Sequence, residues 1–314
     1  MNTLGRVFII SVTTLGLSFA TQSFAQTFTY TQIDVPNSSG TTAIGINAYG
    51  QIVGISDDAD GTEHGFLRDT DGTYLKLDYP GASLTYANGI NDQGQIVGRW
   101  MDSKGYNHAF IRSPSGVFSS FDPPAPCSPS KDPAAAIAHR INNHGDIVGR
   151  CFSANHHEYG WILHYDGTFQ ILTGSGLNAS DAWFVPIGSQ YIAGGESGEG
   201  THQSGLGIYW RVGTFHGALW DRNGGFTTLD VNNSQTSLRS MNSSGDITGI
   251  YYDTALARFH GFLLRNGVVT NIDFPNSSDS NNTVSNDSGV IAGGFTDVAG
   301  VEHGFIATCS GNGC

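Results

Sequence analysis

Along most of the chain, short runs of β-branched and aromatic residues alternate with clusters of Gly, Asn, Asp and Ser, and helix-type spacing is nowhere sustained. The first clear stretch predicts four strands: Thr42 to Ile46, Gln51 to Ser56, His64 to Arg68 and Thr73 to Asp78. Turn chemistry separates them. Asn47 to Gly50 places Asn first and Gly fourth, as a type I turn closed by a Gly at positive φ requires. Asp71-Gly72 and Asp166-Gly167 are hairpin signals of the same kind. The chain is predicted to be nearly all β.

This four-strand unit repeats. Ile46-Asn47-Ala48-Tyr49-Gly50-Gln51-Ile52-Val53-Gly54 returns at Ile90 to Gly98, Ile141 to Gly149, Met241 to Gly249 and Ser285 to Gly293, with a worn copy at Tyr191 to Gly194. The final Gly of each copy (Gly54, Gly98, Gly149, Gly194, Gly249, Gly293) gives steps of 44, 51, 45, 55 and 44 residues, a period of repeat architectures. A second element keeps phase as His64-Gly65-Phe66, His108-Ala109-Phe110, Tyr159-Gly160-Trp161, His216-Gly217-Ala218, His260-Gly261-Phe262 and His303-Gly304-Phe305. A third closes most units, as Leu77-Asp78-Tyr79-Pro80 and Ile272-Asp273-Phe274-Pro275 do.

The two ends of the chain complement each other. After His303-Gly304-Phe305 no fourth strand follows, yet Phe28 to Pro36 matches Val268 to Pro275 and supplies that piece. A shared unit removes the exposed edges of an open array, whereas a stacked solenoid needs capping repeats that are absent. The sequence therefore predicts an all-β fold, a six-bladed β-propeller of four-stranded blades whose ring is closed by the N-terminal strand. Residues 1–25, with Arg6, an apolar stretch and Ser23-Phe24-Ala25, read as a signal peptide. Residues 26–308 form one propeller domain, and 309–314 a Cys/Gly-rich tail.

The paired blocks Ile90-Asn91-Asp92-Gln93-Gly94-Gln95-Ile96-Val97-Gly98 and His108-Ala109-Phe110 resemble the bacterial extracellular repeat family named for its His-Ala-Phe triplet. The resemblance spans about Phe28 to Ile306 and implies export and a propeller-like repeat. It implies no activity and no catalytic residues. Tyr159 in place of His, and the worn start of the fourth unit, depart from the pattern.

Composition narrows the functional classes. A net charge of −13 without any Lys/Arg cluster disfavours nucleic acid and anionic lipid. No segment after the leader suits membrane insertion. Gly accounts for 43 of the 314 residues, about double the usual share, which suits many tight turns. Four cysteines in an exported chain favour disulfides, with Cys127 to Cys151 and Cys309 to Cys314 the expected pairs. The destination is the periplasm or the medium, and the product a monomer.

Candidate chemistry is sparse. No nucleophile elbow, phosphate-binding loop or zinc-protease pattern occurs, so no catalytic residue, metal or cofactor is assigned. His64, His108, His216, His260 and His303 recur at one position in different blades. That spacing suits a structural hydrogen bond, with the recurring Asp34, Asp78, Asp122, Asp230 and Asp273 as partners, better than ligation of one metal. His139, His144, His156, His157, Glu158 and His164 form a denser group without a ligand spacing. Asp57 to Glu63 has the acidity of a calcium loop but no closing Glu, and reads as a solvated hairpin.

The insertion from Ala182 to Val212 breaks the repeat, and variation on a rigid scaffold is where binding residues concentrate. Its long connection between Gly195 and Phe215 carries Glu196, Glu199, His202, Tyr209, Trp210 and Arg211, and the adjacent strand supplies Trp183. These are the ligand-binding candidates, suited to stacking on a sugar ring or anchoring a peptide. The expectation is a secreted, non-catalytic interaction or ligand-binding module for an unknown extracellular carbohydrate or peptide. The alternatives are an enzyme acting on polysaccharide, with Glu158, Glu196 or Glu199 as acids, and a metal-dependent surface protein.

Overall fold

The structure is a computed structural model, and it describes residues 27–127, 136–153, 158–172, 185–187, 191–197, 215–221, 226–242 and 244–310. Twenty-four strands in these residues form six four-stranded antiparallel sheets. β1 (Thr27–Ile33) is followed by a first complete sheet of β2 (Gly40–Ile46), β3 (Ile52–Asp57), β4 (Glu63–Arg68) and β5 (Tyr74–Leu77). The second comprises β6 (Leu84–Ile90), β7 (Ile96–Met101), β8 (Asn107–Arg112) and β9 (Phe118–Phe121). β10 (Ala136–Ile141), β11 (Ile147–Phe152), β12 (Glu158–Leu163) and β13 (Phe169–Leu172) make the third. The fourth holds β14 (Val185–Ile187), β15 (Tyr191–Ser197), β16 (Phe215–Asp221) and β17 (Phe226–Leu229). The fifth holds β18 (Thr236–Met241), β19 (Ile247–Asp253), β20 (Arg258–Arg265) and β21 (Val268–Asn271).

The last sheet draws on both chain ends. β22 (Asp279–Ser285), β23 (Ile291–Thr296) and β24 (Glu302–Ser310) are joined by β1, which pairs with β24 from Thr27↔Ser310 to Ile33↔Gly304. The first strand of every sheet packs against the first strands of its two neighbours, so β2, β6, β10, β14, β18 and β22 form an inner ring.

The expectation of six equivalent blades needs correction, because only five sheets are blades of the repeat type. In those five, the first strand pair carries a register shift with one extra residue: Ile44, Asn88, His139, Arg239 or Asn281. Each also turns through an Asn-initiated loop whose Gly donates to the Asn carbonyl, with Gly50, Gly94, Gly145, Gly245 and Gly289 at positive φ. Among the described residues the fourth sheet shows no such shift, its first strand pairing at Val185, Pro186 and Ile187. Its copy of the motif has lost both the Asn-Gly turn and the residues that the bulge needs.

Two close approaches explain which residues the repeat cannot vary. A Cβ on Gly98 would meet the Tyr86 carbonyl oxygen at 1.8 Å and the Phe110 ring at 2.9 Å, and Gly54, Gly149 and Gly249 are equally confined. The Asn that starts each turn also reaches across to another blade. Asn47 Nδ2 donates to the Asn91 carbonyl (3.2 Å), Asn91 to Asn142 (3.1 Å) and Asn286 to Asn47 (2.9 Å). A residue expected to serve only its own turn thus fastens blade to blade.

Between blades, the core is built from the alternating apolar faces. Val53, Leu77, Ala87, Ile96 and Phe110 pack together, as do Ile33, Ala43, Ile52, Phe66, Val284 and Ala292 across the sheet that joins the chain ends. Cys127 and Cys151 are disulfide-bonded and buried beside Trp161. Cys309 is also disulfide-bonded, while Cys314 lies outside the described residues. No helix among the described residues is long and apolar enough to cross a membrane.

Candidate functional site

The recurring histidines sit on the third strand of their blades and are bound within them. His64 Nδ1 lies 2.7 Å from Asp78 and its Nε2 3.2 Å from Asp58. His108 lies between Asp122 (3.1 Å) and Asp102 (3.8 Å), and His260 between Asp273 (2.6 Å) and Asp253 (3.7 Å). His303 meets Asp34 at 3.1 Å and Asp297 at 3.5 Å, tying the last strand to the first. Trp100, Tyr251 and Phe295 on the neighbouring strands stack on His108, His260 and His303. Each imidazole is a latch joining a strand end to a hairpin.

The third blade solves the same problem covalently. Cys151 follows Gly149 by two positions, as Trp100 follows Gly98, and it pairs with Tyr159, the residue that replaces His. The disulfide to Cys127 stands where the second, fifth and last sheets place the aromatic-on-imidazole stack. His216 lies on β16, opposite Glu196 of β15. The side chains of both lie outside what the structure describes.

Trp183, Glu199, His202, Tyr209, Trp210 and Arg211 all fall outside the described residues. The dense histidine group disperses: His139 is buried, whereas His144 and His164 are 3.5 and 3.4 Å from Asp146 on the turn side. His156, His157 and the Glu158 side chain lie outside the described residues. The acidic run is a hairpin between β3 and β4, in which Asp60 accepts from the Thr62 amide and Asp58 reaches His64 and Lys76. No group of three or more His, Cys, Asp and Glu among the described residues is placed to hold a metal ion.

The described residues bring together a different set. Arg99, His139, Arg150 and Arg239 are 7%, 7%, 1% and 7% exposed, in a chain with only 14 Lys and Arg. His139 and Arg239 are the extra residues at the bulges of β10 and β18, and Arg140 follows His139. Arg99 and Arg150 occupy one repeat position, each following the invariant-phase Gly of the second strand.

His139, Arg140 and Arg239 lie on first strands, which form the inner ring, and Arg99 and Arg150 on the second strands beside them. His139 and Arg140 on β10 act electrostatically on Arg239 of β18, two sheets away around the ring, and His139 also feels Arg150 and Arg99. A bulge re-aims its extra side chain away from the sheet face. Arg140 donates from Nη1 to the carbonyls of Asn88 (2.5 Å) and His139 (2.9 Å). The Arg99 guanidinium lies 3.9 Å over the Tyr86 ring, a cation–π contact. Among the described residues neither Arg99 nor Arg140 has a carboxylate within ion-pair distance, unlike Arg258 and Arg265, which meet Asp273 and Asp246.

Electrostatics follow from that burial. Desolvation, then repulsion from Arg239, pushes the Arg140 pKa down to about 9. Arg99 is lowered mainly by burial, with Arg150 adding to the effect and Tyr86 opposing it. His139 is held well below its ordinary value, first by burial and then by Arg150, Arg140, Arg239 and Arg99. It is neutral at pH 7, and four guanidinium groups act on it. Asn281, the bulge residue of the last sheet, leaves its Nδ2 buried without a hydrogen-bond partner. Such an arrangement repels cations and attracts a desolvated anion, which guanidinium forks bind in bidentate fashion.

Only one of these residues, His139, stands out in the sequence. The signal was the repeat column three residues before the turn Asn, Ile44, Asn88, His139 and Arg239, in which three of the four are polar.

The fold defines the class: the chain is a β-propeller built of four-stranded antiparallel sheets. No protein-family model matches the chain and no curated protein matches it. Solved structures do. A catalytically inactive variant of virginiamycin B lyase from Staphylococcus aureus with quinupristin is 11% identical, with 90% of this chain and 99% of that one covered and a TM-score of 0.50. A putative gluconolactonase is 12% identical over 89% and 91% of the two chains, with a TM-score of 0.52. AofleA from Arthrobotrys oligospora is 10% identical over 90% and 86%, with a TM-score of 0.54. Identities this low establish the shared fold alone.

Proposed function

We propose that this protein is an exported, non-catalytic ligand-binding propeller whose ligand presents an anionic group to the ring axis. One observation carries the reading: Arg99, Arg140, Arg150 and Arg239 all lie near enough to the buried His139 to act on it electrostatically, in a chain whose net charge is −13. Like charges gathered in a buried place repel one another. An anion bound beside them lowers that repulsion. The disulfide fits an oxidising compartment, and with the leader it supports export. An enzyme needs an acid, base or nucleophile beside the bound group. His139 is the imidazole of this cluster, and burial and then four cations oppose its protonation.

The test is thermal unfolding of the purified protein in chloride, acetate, phosphate and sulfate at constant ionic strength. A bound anion stabilises in proportion to the logarithm of its concentration. The reading predicts an anion-specific rise in Tm that Arg239→Gln reduces. Equal Tm values in all four salts would refute it.

A further inference from the structure

The two turns of the third blade bring a separate group of side chains together at the surface. Asn142 to Gly145 closes the hairpin between β10 and β11, and His164 to Gly167 closes that between β12 and β13. The turns touch, since a Cβ on Gly145 would meet that of Tyr165 at 3.5 Å. Each carries one ring. His144 and Tyr165 have centroids 4.1 Å apart and planes inclined at 77°, an edge-to-face pair. Such pairs usually sit in a core, yet Tyr165 is 65% exposed and the His144 side chain 64%. In the first and second blades the same two turn positions hold Tyr49 with Thr70 and Gln93 with Pro114. Of these three blades, the third alone has a corner made of two rings.

Asp146 lies behind the corner. Its Oδ1 accepts from the Tyr165 amide and its Oδ2 from Asn142 Nδ2, both at 3.1 Å. The Nδ1 atoms of His164 and His144 lie 3.4 and 3.5 Å from the same two oxygens. Both imidazoles therefore turn Nδ1 to the carboxylate, and His164 Nε2 lies 3.4 Å from Oε1 of the exposed Gln170. The Asp146 side chain is only 14% exposed.

This arrangement selects a class of ligand. Aromatic faces carry negative charge density and attract polarised C–H groups. An anion meets repulsion from Asp146 and from the exposed Asp166. A cation finds both oxygens of Asp146 already engaged. Beside the rings stand neutral donors and acceptors, the Gln170 amide and the outer nitrogen of His144. A neutral pyranose has the matching composition, a C–H face bordered by hydroxyl groups.

We propose that the His144–Tyr165 corner binds a neutral saccharide, whose C–H face stacks on the Tyr165 ring while its hydroxyls bond Gln170 and His144 Nε2. The site shares no residue with the buried arginine cluster, so it stands or falls independently of the anion-binding reading above.

Saturation-transfer NMR and isothermal titration of the purified protein with cellotriose, maltotriose, laminaritriose and N,N′-diacetylchitobiose test it. At least one of these saccharides binds, with the strongest transfer to the C–H protons of one sugar face. Tyr165→Ala weakens that saccharide at least about tenfold, because the stacked ring is lost, whereas Tyr165→Phe keeps the ring and stays within about threefold. Tyr49→Ala removes a tyrosine that is 68% exposed on the first blade and leaves the affinity unchanged. These positions are exposed, so the variants fold, and matching urea midpoints verify that. If none of the saccharides binds, or if Tyr165→Ala binds as the wild type does, the proposal falls. Binding of zinc(II), added alone and lost in His144→Ala, in a protein that takes up no saccharide overturns it in favour of a metal site.

Discussion

The inter-blade role of the turn asparagines yields a sharp stability test at Asn91. Its Nδ2 donates to the Asn142 carbonyl at 3.1 Å and to Gln95 Oε1 at 2.8 Å, and its Oδ1 accepts from the Gln95 amide at 2.9 Å. The residue is 3% exposed. Asn91→Ala removes all three bonds and leaves the Gln95 N–H without its partner in a part-buried site. The Asn142 carbonyl keeps its bond from Gly145. Three lost bonds at about 0.5 to 1.5 kcal/mol each, partly offset by relaxation and water entry, give an expected loss of about 2 to 4 kcal/mol. Asn91→Asp separates the contributions, since it keeps the acceptor for Gln95 but forfeits both donations and sets a carboxylate against the Asn142 carbonyl. It is expected to cost at least as much as Ala. Tyr49→Ala, in the equivalent turn of the first blade and 68% exposed, serves as the control and stays within about 0.5 kcal/mol. Urea unfolding followed by tryptophan fluorescence reads all three. An Asn91→Ala variant as stable as Tyr49→Ala would refute the blade-to-blade latch.

Three further outcomes are expected. Gly98→Ala has no room for its methyl group against the Tyr86 carbonyl and is destabilised by at least about 3 kcal/mol in the same urea assay, whereas Gly61→Ala, with open space around it at positive φ, loses about 1 kcal/mol. Replacing both Cys127 and Cys151 by Ser opens a loop with a sequence separation of 24 residues and costs about 3 kcal/mol, which denaturant midpoints measure. His139 is held neutral in the fold while the unfolded chain takes up its proton near the ordinary pKa of about 6.5. The unfolded state thus binds more protons below that value, stability falls as pH drops through it, and His139→Gln flattens the slope between pH 7.5 and 5.5; parallel slopes for both proteins would contradict this.

Much of the fold was legible because the physics that sets it is local. Asn47 to Gly50 and its counterparts encode tight turns, the β-branched runs encode strands, and Phe28 to Pro36 matches the strand that the last unit lacks. The pairing of His64, His108, His260 and His303 with Asp78, Asp122, Asp273 and Asp34 also follows from the phase of two repeating elements. The equivalence of the fourth unit did not hold. Tyr191 to Gly194 keeps the strand but not the Asn-Gly turn, and the described residues Val185–Ile187 pair with it without a register shift.

The axial cluster was illegible for a different reason. Arg99, Arg140, Arg150 and Arg239 are single basic residues in separate strands, and each alone resembles a surface charge at a strand edge. Their meeting depends on one extra residue per inner strand and on curvature that closes the ring, neither of which has a short-range signature. Asn91 was misjudged likewise: a turn explains its identity, so nothing in the sequence called for a partner at Asn142.

The most direct test of the axial site is anomalous diffraction from crystals of this protein grown with bromide in place of chloride. The account predicts a bromide peak on the ring axis in contact with the guanidinium groups of Arg140 and Arg239 or of Arg99 and Arg150, lost in the Arg239→Gln, Arg99→Gln double variant. An axis without a peak, in crystals whose surface lysines and arginines do bind bromide, would contradict it.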